Sequence, residues 1–110
     1  MLPKSWRKNL EKNYKLELSA KQDIKESIIY YEERKEGLGG EFFDEVNLKI
    51  QEIIEKPEKY SIYYKNTRKA SLQKFPFIIV YIIEELSISI LGVWHKSRGP
   101  NQLEKRIDEK

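Results

Sequence analysis

The chain has 110 residues, enough for one hydrophobic core and too few for two. Hydrophobic residues make up 39% of it and charged residues 35%, which excludes an intrinsically disordered chain and indicates a globular protein with a highly charged surface. Cysteine is absent and His95 is the only histidine, so disulfide scaffolds, thiolate zinc sites, cysteine nucleophiles and a His-rich metal centre are excluded.

Neither a membrane span nor a secretory leader is expected. The longest apolar run, residues 75–83, is far shorter than the roughly 20 residues that a transmembrane helix needs. No apolar segment follows the charges at the N-terminus. We therefore expect a soluble, cytoplasmic protein.

The charge is unevenly distributed along the chain. The formal net charge is +3, yet residues 1–56 hold 11 basic and 12 acidic side chains (−1), whereas residues 57–110 hold 10 and 6 (+4). A positive half attracts polyanions or acidic protein segments. A solvated surface without a partner is the equally weighted alternative.

The N-terminal half predicts a short strand followed by a helical hairpin. Residues 1–13 show no sustained period and are expected to form a flexible arm, with a single domain over residues 14–110. Residues 14–18 alternate as a strand does. Ser19 is predicted to cap the first helix, with Gln22 in capping-box spacing. The stripe predicted to be buried on this helix consists of Ala20, Ile24, Ile28 and Tyr31.

A glycine-rich segment, residues 37–40, is predicted to be the loop of this hairpin. The second helix that follows ends before Pro57, which cannot donate to the helix ladder. Its inward stripe is predicted to be Phe43, Val46, Ile50 and Ile53, flanked by Phe42 and Ile54.

The C-terminal half changes to the period of strands. Residues 68–74, 77–83 and 88–95 are predicted strands, and residues 84–87 are predicted to close a hairpin. The last strand is expected to place Ile88, Ile90 and Trp94 on one face and Leu91, Val93 and His95 on the other. Residues 101–108 are predicted to form a short helix. The order β-α-α-β-β-β-α predicts an α+β fold in which a helical hairpin packs on a mostly antiparallel, four-stranded sheet.

Candidate chemistry centres on His95, which ends the last predicted strand and is followed by Lys96 and Arg98. If Arg68 converges on these residues, an imidazole among cations suits phosphate binding or phosphodiester cleavage, because imidazole transfers protons near neutral pH and cations stabilise charge on phosphorus oxygens. A structural or merely exposed histidine is the alternative.

Aromatic and acidic residues offer weaker signals. Tyr60, Tyr63 and Tyr64 interleave with basic residues in the predicted loop before the sheet, where they either stack on bases or close the rim of the core. Three carboxylate pairs are interpreted as solvated faces: Glu32/Glu33, Asp44/Glu45 and Glu84/Glu85. The sequence has no P-loop, nucleophile elbow or dinucleotide fingerprint.

The order of these elements and several local motifs resemble the RelE/ParE superfamily of toxins from type II toxin–antitoxin systems, the plasmid stabilisation protein family. The resemblance covers residues 14 to about 106. The motifs that carry it are Ala20-x-x-Asp23-Ile24, Tyr30-Tyr31, Gly37-Leu38-Gly39 with Phe42/Phe43, Ile53 with Pro57 and Tyr60, Arg68, Phe75-Pro76-Phe77-x-x-x-Tyr81 and Val93-x-His95-x-x-Arg98-x-Pro100.

The resemblance implies a growth-inhibiting toxin whose groove, between sheet and helix hairpin, is wrapped by the C-terminal segment of a cognate antitoxin. RelE-like members cleave messenger RNA on the ribosome, whereas ParE-like members poison DNA gyrase. Arg68 occupies the position of a strand arginine found in both branches. His95 lies where some RNase members carry a late histidine, but Lys96 follows where those members often have tyrosine, which favours the ParE-like branch.

We therefore expect a toxin that is ParE-like, with RelE-like messenger cleavage as the alternative and a non-toxic nucleic-acid or protein binding module as a further one. The expected partners are an antitoxin and either gyrase or the ribosome with its messenger, without a membrane, metal or cofactor. The catalytic residues expected for an RNase are His95, Arg68 and Arg98. The residues expected to bind target or antitoxin are Arg68, Lys69, Lys74, Lys96, Arg98 and Tyr64.

Overall fold

A computed structural model of the protein describes residues 14–85, 87–98 and 104–106. Residues 104–106 are helical, as expected for part of the C-terminal helix. The predicted arm over residues 1–13 and the rest of the predicted helix over residues 101–108 lie outside the described residues.

Two helices pack on one face of a five-stranded sheet, which confirms the predicted α+β class. The sheet order is β1-β5-β4-β3-β2; β1 runs parallel to β5, and all other neighbours are antiparallel. Neither helix in the described part of the chain has the length and apolar character of a membrane span. The elements are β1 (Tyr14–Leu16), α1 (Leu18–Arg34), α2 (Leu38–Glu55), a 3-10 turn (Pro57–Lys59), β2 (Ser61–Tyr64), β3 (Thr67–Ser71), β4 (Phe77–Ile83) and β5 (Ile88–His95).

The fifth strand, β2, lies where the sequence predicted a loop. It pairs with β3 through the two-residue turn Lys65-Asn66, in which Lys65 has a φ of 51°. The buried Thr67 hydroxyl closes this turn, because it accepts a hydrogen bond from the Tyr64 N–H and donates one to the Tyr64 carbonyl. The strand has four residues and an irregular register between Ile62 and Tyr64, so the sequence shows no clean alternation there.

A bulge at Leu91 decides which β5 side chains face the helices. Tyr81 of β4 pairs with Ile90, but the preceding residue of β4, Val80, pairs with Gly92, so Leu91 is an extra residue in β5. Beyond the bulge, Val93 packs with the helix-facing core, and Trp94 packs in the cluster on the opposite face. The predicted alternation, which put Trp94 with Ile88 and Ile90, was therefore wrong, because a bulge reverses the faces that follow it.

The core between helices and sheet contains an aromatic cluster. Phe42 is fully buried and meets the Phe75 and Phe77 rings at centroid distances of 5.2 and 5.0 Å, while Tyr31 lies 4.8 Å from Phe75. The prediction that Phe43 leads the inward stripe was wrong, since Phe43 is 45% exposed. The buried stripe follows a spacing of four, then three or four, residues: Phe42, Val46, Ile50, Ile53 and Ile54.

The hairpin between α1 and α2 depends on two glycines with different roles. Gly37 has a φ of 86°, in the left-handed region, and turns the chain before α2. Gly39 lies inside α2, where a Cβ atom would stand 2.6 Å from the Ile28 carbonyl oxygen of α1. The Glu32 carboxylate accepts hydrogen bonds from the N–H groups of both glycines, at 2.9 and 3.0 Å. Of the residues predicted to form the loop, 37–40, only Gly37 precedes α2, which begins at Leu38.

The start of α1 also differs from the prediction. The helix begins at Leu18 with Glu17 at the N-cap position, and the Glu17 side chain makes no capping hydrogen bond. Ser19, predicted as the cap, instead donates its hydroxyl to the Leu91 carbonyl of β5 at 3.0 Å. The hydroxyl thus links the helix to the bulge.

Substituting the two neighbouring glycines separates close packing from helix propensity. Gly39→Ala is expected to lower the free energy of unfolding by about 1–3 kcal/mol, because its Cβ meets rigid backbone of α1. Gly40→Ala, the matched control, has nothing within 4 Å of its Cβ and is expected to raise stability by up to about 1 kcal/mol. Urea denaturation measures both; equal effects would contradict the close approach.

Candidate binding cleft at the free edge of the sheet

Side chains cap the edge of β5 where β1 stops. β1 pairs with β5 only as far as Ile90. Beyond it, Asp23 of α1 accepts a hydrogen bond from the Val93 N–H at 2.9 Å. Arg106 donates to both Asp23 carboxylate oxygens at 2.6 and 2.8 Å and to the Leu91 carbonyl at 3.2 Å. Asp23 therefore joins α1, β5 and the C-terminal segment.

The Asp23–Arg106 pair is shielded from water and held by packing. The side chains of Arg106 and Asp23 are only 18% and 11% exposed. The guanidinium lies 5.0 Å from the Trp94 ring centroid, in cation–π range. Gly92 leaves it room, since a Cβ there would be 2.4 Å from Arg106 Nη1 and closer still to the Trp94 ring. The close approach of these two side chains therefore requires glycine in the middle of β5.

Breaking the pair is expected to destabilise the fold strongly. Asp23→Ala removes the acceptor of the Val93 N–H and the partner of Arg106, so it is expected to lower the free energy of unfolding by about 3 kcal/mol or more. Arg106→Ala should cost somewhat less, and the double variant less than the sum of the two. Thermal or urea unfolding measures the cycle, with Glu26→Ala, an exposed carboxylate on the same helix, as control. Additive effects would contradict direct coupling.

A cleft of about 450 Å³ opens between the C-terminal half of α1 and the end of β5. The Arg34 guanidinium, one turn beyond Tyr30 on α1, lies 3.8 Å from the centroid of the Tyr30 ring. Tyr30 and Tyr31 contact each other edge to face at 5.2 Å. The cleft is lined by Asp23, Glu26, Ser27, Tyr30, Tyr31, Arg34, Phe77, Val93, Trp94, His95 and Arg98.

The structure brings His95 and Arg98 together in this cleft. The His95 imidazole packs edge to face on Phe77 at 5.6 Å. Its Nδ1 accepts a hydrogen bond from the Ser97 N–H at 3.0 Å, which assigns the proton of the neutral ring to Nε2. The Arg98 N–H donates to the His95 carbonyl at 3.0 Å, so a tight turn holds both residues.

Arg68 lies outside the cleft. It pairs with Tyr81 on β4, four residues from the Phe77 that pairs with His95, a separation of about 13 Å along the strand. Its guanidinium donates to the carbonyls of Tyr60 at 2.6 Å and Glu58 at 3.2 Å. Arg68 thus holds the 3-10 turn, and the structure does not join it to His95 and Arg98 in one cationic hollow.

The other residues expected to bind are spread over the surface. Lys69 lies 4.8 Å from the Tyr63 ring, and the half-buried Tyr64 packs against the cluster on the face away from the helices. Lys74 pairs with Glu41 of α2 at 3.5 Å. Lys96 is exposed in the turn after β5, with its N–H bonded to the Pro76 carbonyl. None of these four residues lines the cleft.

Sequence reasoning missed several residues that matter for the site. Arg34 was not singled out, although its i, i+4 spacing from Tyr30 was a readable signal. Glu32 and Glu45 were interpreted as solvated, yet Glu32 caps the start of α2 and Glu45 accepts hydrogen bonds from the N–H groups of Gln73 and Lys74. In the described residues, no cluster of His, Asp or Glu is arranged to hold a metal ion.

Tyr81, which pairs with Arg68 across β3 and β4, also holds the 3-10 turn. It is fully buried, and its hydroxyl donates to the Pro57 carbonyl at 2.5 Å. Burial raises the pKa of Tyr81 to about 12; the neighbouring Arg68 charge opposes this rise, and Tyr60 adds to it. The buried phenol is therefore kept protonated well above neutral pH.

Alkaline unfolding tests this phenol. Because the pKa of Tyr81 is higher in the folded state, its stabilising contribution is complete below pH 10 and is lost as the pH rises from 10 to about 12, amounting to about 3 kcal/mol. Tyr81→Phe should flatten this part of the stability profile, whereas Tyr63→Phe, on the opposite sheet face, should retain it. A Tyr81→Phe profile parallel to the wild type would contradict the assignment.

Comparisons with known proteins agree with this architecture. A family model described as the ParE toxin of the type II toxin–antitoxin system parDE matches residues 14–100. No curated protein gives a significant sequence match. A solved chain from a chromosomal ParDE toxin–antitoxin system of P. aeruginosa matches with a TM-score of 0.66 and 13% identity, over 77% of this chain and 96% of that one. At that identity the structural likeness concerns the fold.

Proposed function

The chain belongs to the ParE toxin family of type II toxin–antitoxin systems, and from this membership we propose that it inhibits growth by binding DNA gyrase in the cytoplasm, and that a cognate antitoxin neutralises it. The proposed action is stoichiometric binding of the target rather than hydrolysis.

The observation that supports binding over hydrolysis by the predicted set of His95, Arg68 and Arg98 is the separation of Arg68 from His95. Cleavage of a phosphodiester requires a proton-transfer group and cations that converge on one phosphate. Here the Arg68 guanidinium is bound to two backbone carbonyls of its own chain. On β4, the residue that pairs with Arg68 lies four residues from the residue that pairs with His95. The strand arginine therefore acts in our proposal as a positioning residue for the 3-10 turn.

The proposed antitoxin site is the cleft beside β5. It presents the guanidinium groups of Arg34 and Arg98 together with aromatic surface from Tyr30 and Tyr31. Such a surface suits a partner that offers carboxylates and an apolar side chain, since arginine–carboxylate contacts and aromatic burial both contribute to binding.

A second candidate is RelE-like cleavage of messenger RNA on the ribosome. Its support is the placement of His95 in the same cleft as Arg34 and Arg98, where an imidazole lies among cations. In this candidate, His95 Nε2 would transfer the proton, because Nδ1 is bonded to the Ser97 N–H.

Induced expression tests the function. We expect growth arrest that is relieved by co-expression of the protein encoded in the adjacent reading frame, and purified toxin should inhibit gyrase supercoiling at near-stoichiometric concentration. Gly40→Ala, which changes a residue that does not line the cleft, is the control and should remain toxic. Normal growth at high soluble expression would refute the proposal.

A reconstituted translation system distinguishes the two candidates. Messenger cleavage that disappears in His95→Ala, with supercoiling unaffected by the wild type, would replace the gyrase proposal with the ribosomal one. Inhibited supercoiling without messenger cleavage supports the first proposal.

A further inference from the structure

We propose that two copies of this chain associate through the outer face of the helix hairpin, with Ile29 of each copy on a two-fold axis and Lys25 of each copy opposite Glu33 of the other. This surface lies outside the cleft described above, so the association does not depend on the proposed function. Its support is an apolar groove between α1 and α2 together with a pattern of charges that is complementary to itself.

An apolar groove of about 380 Å³ lies between α1 and α2. Ile24 and Ile28 of α1 line it, and Ile29 and Phe43 stand beside them with 49% and 45% of their surface exposed. Large apolar side chains that adjoin one groove form a contiguous patch, and such patches mark surfaces that bind another molecule. Phe43, which the sequence predicted to face the core, therefore contributes to this patch.

The geometry of α1 prevents the core beneath the helix from burying Ile29. Ala20 and Ile24 are buried, and Ile29 follows Ile24 by five residues. A helix turns by about 100° per residue, so the side chains of Ile24 and Ile29 point about 140° apart. Burial of Ile29 therefore requires a second molecule or another segment of the chain.

The charges on either side of Ile29 are arranged symmetrically. Lys25, Ile29 and Glu33 are spaced four residues apart, so they form one row along the exposed side of α1. The lysine and the glutamate each lie about 6 Å along the helix from Ile29, in opposite directions. Neither of them forms an ion pair with a residue that the structure describes. A two-fold axis at Ile29 exchanges positions 25 and 33, and each copy then supplies one lysine and one glutamate to the contact.

The chemistry of the groove favours a second copy over other occupants. Both charged side chains that line it, Lys21 and Lys25, are basic. An occupant therefore needs an apolar side chain with a carboxylate one helical turn away, and α1 carries this pair at Ile29 and Glu33. Packing along rows of residues four apart is the commonest way in which two helices meet. The segment 1–13 fits less well, because it has four basic side chains and one acidic side chain.

The association is compatible with access to the cleft beside β5. The groove and that cleft have no lining residue in common. Tyr30, which lines the cleft, follows Ile29 by one residue and so points about 100° away from it around α1. A dimer therefore presents two clefts, and a partner with two binding segments gains affinity by occupying both.

Sedimentation equilibrium of the purified full chain tests the association. A contact centred on one pair of helices is smaller than the roughly 800 Å² per partner of a standard interface, so we expect a reversible dimer with a dissociation constant on the order of 10 μM. The mass should rise from monomer toward dimer between about 1 and about 300 μM, and about 0.5 M salt should weaken the dimer severalfold by screening the two ion pairs. A chain that stays monomeric at about 300 μM overturns the proposal.

A charge swap tests the pairing of Lys25 with Glu33. Lys25→Glu or Glu33→Lys places like charges opposite each other at two symmetry-related positions, so each should weaken the dimer about tenfold or more. The double variant Lys25→Glu/Glu33→Lys restores opposite charges and should return the dissociation constant to within about threefold of the wild type. Lys59→Glu, which changes an exposed lysine of the 3-10 turn, is the matched control and should alter it less than about twofold. A double variant as weak as either single variant would contradict this pairing.

A single introduced thiol tests the position of the axis. The chain has no cysteine, so Ile29→Cys carries one thiol per copy. Helices in contact lie about 8–10 Å apart, which brings the Cα atoms at a two-fold axis within the range of a disulfide. Mild oxidation should therefore link Ile29→Cys into covalent dimers and leave Leu48→Cys, 60% exposed and outside the groove, mostly monomeric. Equal linking of the two variants would overturn the position of the axis.

Other occupants of the groove predict different results for Ile29→Glu. With the dimer, this variant should be monomeric, as stable as the wild-type monomer and equally able to bind the protein from the adjacent reading frame. If the wild type is monomeric and Ile29→Glu lowers the free energy of unfolding, a segment of the same chain covers the groove; if it weakens binding of the adjacent gene product, that protein covers it. Either result overturns the dimer.

Growth arrest separates the dimer from the proposed function. A monomeric protein that still arrests growth refutes only the dimer. A dimeric protein that leaves growth normal at high soluble expression refutes only the proposed function.

Discussion

The carboxylate of Asp23 is the contact on which the site depends. A strand edge that leaves its neighbour exposes backbone groups that must find partners, and β5 does so after Ile90. Asp23 Oδ2 accepts the hydrogen bond from the Val93 N–H, and both carboxylate oxygens bind Arg106, so helix, strand and C-terminal segment are joined at one carboxylate. Where that capping stops, the cleft begins.

The bulge at Leu91 decides the chemistry of the cleft. With uninterrupted alternation, His95 would share a face with Leu91, away from the helices. The extra residue returns Val93 and His95 to the helix side, where His95 packs on Phe77. Gly92 permits this arrangement, because the Trp94 ring and the Arg106 guanidinium occupy the space of a side chain there. One inserted position therefore brings the histidine into the cleft.

Periodicity in the sequence was sufficient for the fold class and insufficient for the site. Apolar residues recurring with periods of 3.6 and 2 predicted the helix hairpin and the strands β3, β4 and β5, because the buried face of each element repeats at regular intervals along the chain. The four-residue β2, the bulge and the inward choice of Phe42 depend on pairing and packing between distant segments. The carboxylates of Asp23 and Glu45 bind residues 70 and 28 positions away in the sequence, and no local sequence pattern predicts such contacts.

Two arginines bind groups of their own chain, and two others are exposed and available to a partner. Arg68 and Arg106 donate their guanidinium protons to acceptors of their own chain, and both stabilise a backbone segment that lacks ladder partners. Arg34 and Arg98 are exposed and remain without a carboxylate in the described residues, so they define the positive character of the cleft. The family match ends at residue 100, whereas Arg106, which anchors the cleft's capped edge, lies beyond it. The capped edge therefore depends on a side chain outside the family region, while the open edge and its two cations lie within it.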